Sequence, residues 1–482
     1  MESDKAVLPG NKWVQGVLFL CFVLFLGYFQ FVFHEFWKDE WQAWFIANEP
    51  KSVGAMWHML ASEGHPVLWF LILRGAGQLT NWIVPGTGAV YIIQGVHLLL
   101  TVISLWFIFF RFRIPLLLRV CIASSYFIAF EYGVINRGYI LVILCLFALI
   151  PWLRRKDKNP YTGGILLFLL TQTEVYGMFA ALAVGVYLFM DSCRLNPSVF
   201  TRITVIPGLF LLSGAGLFFL SIFPANTSGD TASAIDSFVS LYAHTFCIGF
   251  IPPGKGWAMP SLLISLVLLA LIVFILRENK ALLFAYLLFS AAFWVFGFLY
   301  YQGGPRQWGL HFVFLVFVLE LTWPACNNRL TKVAYGILLL MILPAQLIYA
   351  GKIMWKEKKY LFSNSIEAGQ FISRYIPPQT PIIGINKPYC TPVIGYCNHR
   401  FFSLPEGDLF SYAVFREKLY LPTEAEVINF YEQHGQKDLY VLSWKLLPAK
   451  QFSHLEPVAW FNKPSIREEE YFLYKMSGRK SD

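Results

Sequence analysis

The sequence predicts a polytopic α-helical membrane protein that ends in a small water-soluble α/β domain, and three observations carry that expectation. Over 482 residues the chain is 57% hydrophobic and only 14% charged, with a mean hydropathy of +0.54, whereas ordinary soluble domains carry about 25% charge. Apolar runs of membrane-crossing length recur from the first twenty residues to about residue 350. The charge is unevenly placed: residues 352–482 hold 17 Lys+Arg and 14 Asp+Glu, and the other 351 residues hold the remaining 36 charges. These figures exclude a soluble cytosolic enzyme and a disordered chain. The net charge of +9 divides into +6 for residues 1–351 and +3 for the tail, with no basic cluster of nucleic-acid type, so nucleic acid is not an expected partner.

A helix needs about 20 apolar residues to cross a bilayer. Eleven segments meet or approach that length: 13–33, 89–110, 115–131, 138–153, 161–174, 177–190, 202–223, 259–276, 281–299, 308–325 and 332–350. The first follows Lys5 and Lys12 without a small-residue cleavage site and reads as a retained anchor. The stretch from Pro66 to Val84 is also apolar, yet it contains Arg74, Gly75, Gly77, Gln78 and Asn81. Treating it as a re-entrant or interfacial helix inside one long loop, 34–88, leaves 15 basic residues on one side of the membrane and six on the other. Treating it as a span destroys that bias, so the positive-inside rule decides against a span. The N-terminus is then cytoplasmic, 161–190 is a helical hairpin, and the tail is periplasmic or extracellular, most simply at a bacterial inner membrane. The tail alternates apolar stretches (Pro381–Ile385, Leu439–Leu442) with a helix-like segment (Glu424–Gln433), which gives two domains, 1–351 and 352–482. Cys390 and Cys397 lie in it, and both a disulfide and two buried thiols suit that compartment.

An ionisable residue held near a membrane is costly, which makes its position a functional hint. On this topology the acids gather on the outside: Glu35, Asp39, Glu40, Glu49, Glu63, Glu131, Glu174, Asp230 and Asp236, with Arg137 and Arg306 as notable outside cations. Stepping about 100° per residue along a helix over 34–49 puts Trp37, Trp41 and Trp44 on one stripe and Asp39 on the opposite side. Such a stripe suits a headgroup interface, and Asp39 then faces a protein cavity; a merely solvated Asp on an interfacial helix has the same pattern. A carboxylate with an ordinary pKa near 4 can take a proton from an acceptor hydroxyl or amine, and arginines can hold a departing phosphate bidentately. No glycine-rich phosphate loop is present for a nucleotide sugar, so a lipid-linked donor at the outer face is expected.

The run Asp39-Glu40-Trp41-Gln42-Ala43-Trp44-Phe45-Ile46-Ala47 resembles the first-loop signature of GT-C membrane glycosyltransferases, the class that includes protein O-mannosyltransferases and the lipid A aminoarabinose transferase. Glu63-Gly64-His65-Pro66-Val67-Leu68-Trp69 is similar to the EGHPPLW segment of a bacterial branch, and Glu131-Tyr132-Gly133-Val134-Ile135-Asn136-Arg137-Gly138-Tyr139 to its EYxxxxRxY turn. The resemblance implies an inverting transfer of sugar from a polyprenyl-phosphate donor to an extracytoplasmic glycan, lipid or protein. Asp39 would occupy the catalytic position with Glu40 beside it. Arg137, Arg306 and His311 would contact the donor phosphate, and Glu63, His65, Glu131, Tyr139 and Glu174 would line the substrate site. Two departures stand out: Gln307 replaces the His that often follows the Arg of the penultimate outside turn, and Val67 replaces a Pro.

Each of these residues also has a structural reading. Glu40 could pair with a cation, Glu63 and His65 could fix the entry into the 66–84 helix, Glu131 could neutralise Arg137, and Glu174 could close a hairpin tip. Because a single phosphate leaves, two arginines suffice to neutralise it, and no divalent metal or other cofactor is expected. The expected partners are the lipid-linked donor, the acceptor and membrane lipid. The rival reading is a transporter or flippase of a lipid-linked glycan, which would show related halves and broken helices near the midplane; the chain shows no internal repeat.

Overall fold

The computed structural model describes residues 12–83, 89–195, 201–222, 246–252, 258–301, 303–323, 328–413, 420–435 and 438–476. Most of the 224–258 loop, with Asp230 and Asp236, lies outside the described residues. Among the described residues, six helices are long and apolar enough to cross a membrane: Lys12–Val32, Ala89–Phe110, Val175–Leu195, Arg202–Ile222, Lys280–Leu299 and Arg329–Lys359. The chain therefore reads as a multi-pass membrane protein, and shorter apolar helices such as Tyr139–Leu153 accompany the six. The segment 115–131 is not one continuous helix. Its helix stops at Ala123, Ser125 turns its hydroxyl onto the Ile122 carbonyl at 2.6 Å, and a π-helical turn follows over Tyr126–Glu131. Hydropathy alone does not register a break made by two serines. The 66–84 stretch forms the helix Leu68–Ile83, and 161–190 is a hairpin of Pro160–Thr171 and Val175–Leu195.

The chain divides into two compact units. One comprises Met1–Gln30, Gly64–Trp69 and Gln94–Met354, and the other Phe31–Glu63, Phe70–Ile93 and Trp355–Asp482. The expected boundary at 351/352 falls three residues from the last cut. Composition did not disclose that two pieces of the first ninety-three residues belong with the C-terminal chain.

The first unit is helical, and two buried polar clusters tie its helices together. Buried Gln30 donates from Nε2 to Asn136 Oδ1 at 2.7 Å and lies 3.3 Å from His97 Nδ1, which anchors the turn that precedes Arg137. At its other end, buried Glu320 accepts the backbone N–H of Ile114 at 3.2 Å and the Arg154 guanidinium at 2.5 Å.

The second unit is built on a six-stranded mixed sheet in the order β3-β2-β1-β4-β6-β5. The strands are β1 (Ile382–Gly384), β2 (Phe401–Phe402), β3 (Leu409–Phe410), β4 (Tyr440–Ser443), β5 (Leu455–Phe461) and β6 (Tyr471–Met476). β1 runs parallel to both β2 and β4, and the other pairs are antiparallel. A strand with parallel neighbours is covered on both faces, and Ile382, Ile383 and Gly384 are all buried. Cys390 and Cys397 are free thiols, not a disulfide, and burial pushes the Cys397 thiol up to about 12.

The tryptophan stripe has another partner than lipid. The Lys38–Asn48 helix packs on the Lys387–Gly395 helix: Trp41 is 3% exposed, stacks on Phe45 and meets Tyr396 edge-on. A Cβ on Gly395 would lie 2.1 Å from the Trp41 ring, so only glycine allows this approach. Trp37 is covered by the Arg467 guanidinium at 3.9 Å and by Phe362.

Candidate active site

In the second unit, the residues of the first-loop signature are sorted by what they touch. Glu40, the third residue of the Lys38–Asn48 helix, is 1% exposed and caps it by accepting the Trp37 N–H on Oε2 at 3.2 Å. Its Oε1 lies 3.0 Å from His34 Nε2, while His34 Nδ1 lies 2.6 Å from Glu357 Oε1. Burial disfavours a charge on His34, but the Glu40 and Glu357 carboxylates outweigh it and raise the imidazole to about 10. His34 is thus a fully buried imidazolium that donates to two carboxylates. Gln42 bonds Ala413 through both ends of its amide and donates to Glu63 Oε1 at 3.1 Å. Tyr396 receives the Phe36 N–H at 2.7 Å and donates to the Phe36 carbonyl.

Asp39 lies in the first turn of the same helix, where the helix dipole favours negative charge. It is half-buried, within electrostatic range of Glu469, a carboxylate also influenced by Lys38 and Arg467. Glu35 takes a different task from Asp39. It accepts the Phe362 N–H at 3.1 Å, and burial holds its carboxyl up at about 7 against these backbone donors.

In the first unit, a second group of expected residues converges. Arg306 sits on the short Pro305–Trp308 helix, and its Nε lies 3.4 Å from Glu131 Oε1. Glu131 Oε2 also accepts from the Tyr126 hydroxyl at 2.5 Å, and the Tyr132 hydroxyl donates to the Arg306 carbonyl. The π-helical turn makes this possible by bringing Tyr126 and Glu131, its first and last residues, within hydrogen-bond reach of each other. Arg137, Arg306 and Glu174 all lie within electrostatic reach of the buried Tyr139 hydroxyl. Glu174 Oε2 and His65 Nδ1 are 2.8 Å apart. Packing is tight here too, since a Cβ on Gly138 would sit 3.1 Å from Glu174 Oε1 and 3.0 Å from Trp69.

Gln307, the departure from the motif, has a use. It donates from Nε2 to the Tyr139 hydroxyl and accepts the Gly304 N–H on Oε1, both at 2.9 Å, so one planar amide braces the Arg306 turn against Tyr139. His311 is placed otherwise than expected. It is 2% exposed among the rings of Phe246, Phe250, Phe289 and Phe293, with the Phe293 centroid at 4.3 Å. Four aromatic rings give it a packing role, and its Nδ1 has no hydrogen-bond partner among the described residues.

No family profile and no curated protein matches the chain. Its likenesses are to solved structures. The chain is similar to ArnT from Cupriavidus metallidurans bound to undecaprenyl phosphate, at 12% identity and a TM-score of 0.49, over 98% of this chain and 100% of that one. It is also similar to the arabinofuranosyltransferase AftD from Mycobacteria, at 12% identity and a TM-score of 0.38, over 98% of this chain and 40% of that one.

Three participants in these clusters were missed in the sequence. His34 and Glu357 are 323 positions apart, and no spacing rule joins them. Tyr126 lies five positions before Glu131, a separation that an ordinary helix does not bring together.

Proposed function

We propose that this chain is an inverting glycosyltransferase of the GT-C type, which moves a sugar from a polyprenyl-phosphate donor to an extracytoplasmic acceptor. The observation that carries the reading is the division of labour within the first-loop signature. Glu40 is committed to His34 and the helix cap, Trp41 to the Lys387–Gly395 helix, and Gln42 to Ala413 and Glu63. These contacts hold in place the helix that carries Asp39, whose half-buried carboxylate lies in its first turn. In the proposed step, that carboxylate takes the proton of the acceptor hydroxyl or amine as the acceptor bonds to the anomeric carbon. The bond from that carbon to the phosphate oxygen breaks with its electron pair, and polyprenyl phosphate leaves onto Arg306 and Arg137. Glu131, Tyr126 and Tyr132 hold the Arg306 turn in place.

Arg306 should then act on the chemical step. Arg306→Gln is expected to lower kcat about 10²–10³-fold, the usual cost of losing one preorganised charge-stabilising group. Arg306→Lys should recover only part, because an ammonium lacks the guanidinium fork. The check is steady-state sugar transfer in proteoliposomes with a polyprenyl-phosphate sugar, and wild-type turnover by Arg306→Gln would remove the residue from the mechanism.

A single departing phosphate needs no divalent ion when arginines receive it. Transfer is expected to persist at full rate in EDTA, and activity that EDTA abolishes and Mn²⁺ or Mg²⁺ restores would refute this.

A further inference from the structure

We propose that Glu469 is a positioning residue of the transfer step, a second carboxylate that strengthens Asp39 as the base toward the acceptor's hydroxyl or amine. The inference deepens the transferase reading and rests on it, because Asp39 must be the group that takes the proton. The chain around Glu469 is held in an unusual shape. Leu361 and Ser465 form an isolated parallel bridge, the Ile466 N–H donates to the Leu361 carbonyl at 2.9 Å, and the Arg467 N–H donates to the Phe362 carbonyl at 3.1 Å. Glu468 then takes a left-handed backbone (φ 52°), although its own side chain is exposed. Such strain persists only where the surroundings over-determine it, and it gathers at functional sites. The residues on either side of the bend are both committed. Arg467 covers Trp37, the N-cap of the helix that carries Asp39, at 3.9 Å, and Phe362 at 4.9 Å. Glu469 Oε2 accepts from the buried Ser363 hydroxyl at 2.6 Å and from the Tyr471 hydroxyl at 3.4 Å, while its carbonyl accepts from Asn364 Nδ2 at 2.7 Å.

Asp39, Lys38 and Arg467 all act on the carboxylate held in this way. Burial raises the Glu469 carboxyl above its ordinary range and Asp39 adds to the rise, while the Ser363 hydroxyl, Lys38 and Arg467 favour its charged form. Repulsion between two carboxylates is a single energy felt by both, so what the charge of Asp39 does to Glu469, the charge of Glu469 does to Asp39. Asp39 therefore binds a proton more tightly than it would without Glu469, which moves it toward the neutral range where a general base works best. The two cations keep the pair ionised. The other titratable groups on the packed elements have the contacts already described: Glu40 and Glu357 meet His34, and Glu35 meets the Phe362 N–H. On the Lys387–Gly395 helix, Lys387 lies over Phe410 and Tyr389 lies under Lys38.

The test is the pH dependence of sugar transfer by the full-length protein in proteoliposomes with a polyprenyl-phosphate sugar. The fall of kcat/KM toward acid should follow protonation of Asp39. Glu469→Gln, which keeps an acceptor for the Ser363 hydroxyl, should move the midpoint of that acid limb down by about half a unit or more and lower the plateau rate about two- to tenfold. Glu469→Asp, which keeps the charge, should hold the limb near its wild-type place. Glu470→Gln removes an exposed carboxylate one position on and should leave limb and plateau unchanged. A midpoint does not depend on what fraction of the protein is folded, so partial unfolding of a variant cannot imitate the shift. A wild-type profile without an acid limb, a limb unmoved in Glu469→Gln, or one moved equally in Glu470→Gln would overturn the proposal. Failure of the underlying reading is seen separately, as wild-type transfer by Asp39→Asn whatever Glu469 does.

Discussion

Asp39→Asn is expected to lower sugar transfer 10²–10⁴-fold, the range over which a positioned general base contributes, or about 3–5 kcal/mol of barrier. Asparagine has the shape of aspartate and fits the first turn of the Lys38–Asn48 helix, so the loss would be one of proton acceptance. The structure supplies the control next door. Glu40→Gln keeps an acceptor for the Trp37 N–H and should change kcat far less, because Glu40 is turned to His34 and the cap. Purified protein in proteoliposomes, a polyprenyl-phosphate sugar and a rate series over acceptor concentration make the measurement. The expected pattern is a fall in kcat with donor affinity retained. Correctly folded Asp39→Asn that transfers sugar at the wild-type rate would sink the mechanism.

His34→Gln should cost the second unit about 3–5 kcal/mol, the penalty for removing one partner of a buried ion pair. Glu40 and Glu357 would be left facing each other without the cation between them, both at 0% side-chain exposure. Adding Glu40→Gln to His34→Gln should recover part of that loss by removing one stranded charge, a result that simple truncation damage would not give. Thermal melting, with hydrogen exchange at β1 and β4, reads both variants; a His34→Gln protein as stable as wild type would refute the imidazolium. The same group sets a pH dependence. Its folded pKa of about 10 lies above the ordinary 6.5, so the folded state holds the proton more tightly. That stabilisation is complete below about 6.5 and is lost as pH rises through 10. Glu35 acts in the same direction lower down. Its carboxyl is raised from 4.5 to about 7, so the unfolded chain releases the proton first and stability declines as pH rises between those values. Wild-type stability should therefore fall from pH 5 toward 10, and His34→Gln should remove the upper part of the decline.

Local pattern made some of this legible and not the rest. The apolar run Pro381–Ile385 contains β1, Leu439–Leu442 covers all but the last residue of β4, and the helix-like segment Glu424–Gln433 is a helix. Trp41 and Trp44 lie on a helix as expected, while the helix begins only at Lys38 with Trp37 as its N-cap; Trp41 packs on Gly395, some 350 positions on, and periodicity says nothing of what a face packs against. The gathering of Arg306, Glu131 and Tyr139 was expected only through a motif. Their contacts depend on a π-helical turn that composition does not mark. His34 read as a helix start, because only the fold brings Glu357 to it.

The second unit is assembled from three separated stretches of chain, and this has a consequence for biosynthesis. Residues 31–63 emerge from the ribosome first, yet Glu357, Tyr396 and Ala413, which His34, Trp41 and Gln42 also contact, lie beyond residue 354. At roughly 5–20 residues per second, translation keeps them waiting for tens of seconds, with a histidine, acids and tryptophans uncovered. A nascent chain cut short before residue 355 would lack more than a tail: the segment bearing Asp39 would lose the sheet and the Lys387–Gly395 helix that complete its unit. Quality control thus has a late checkpoint, at which arrival of the C-terminal stretch decides whether a carboxylate made hundreds of residues earlier becomes part of a working protein.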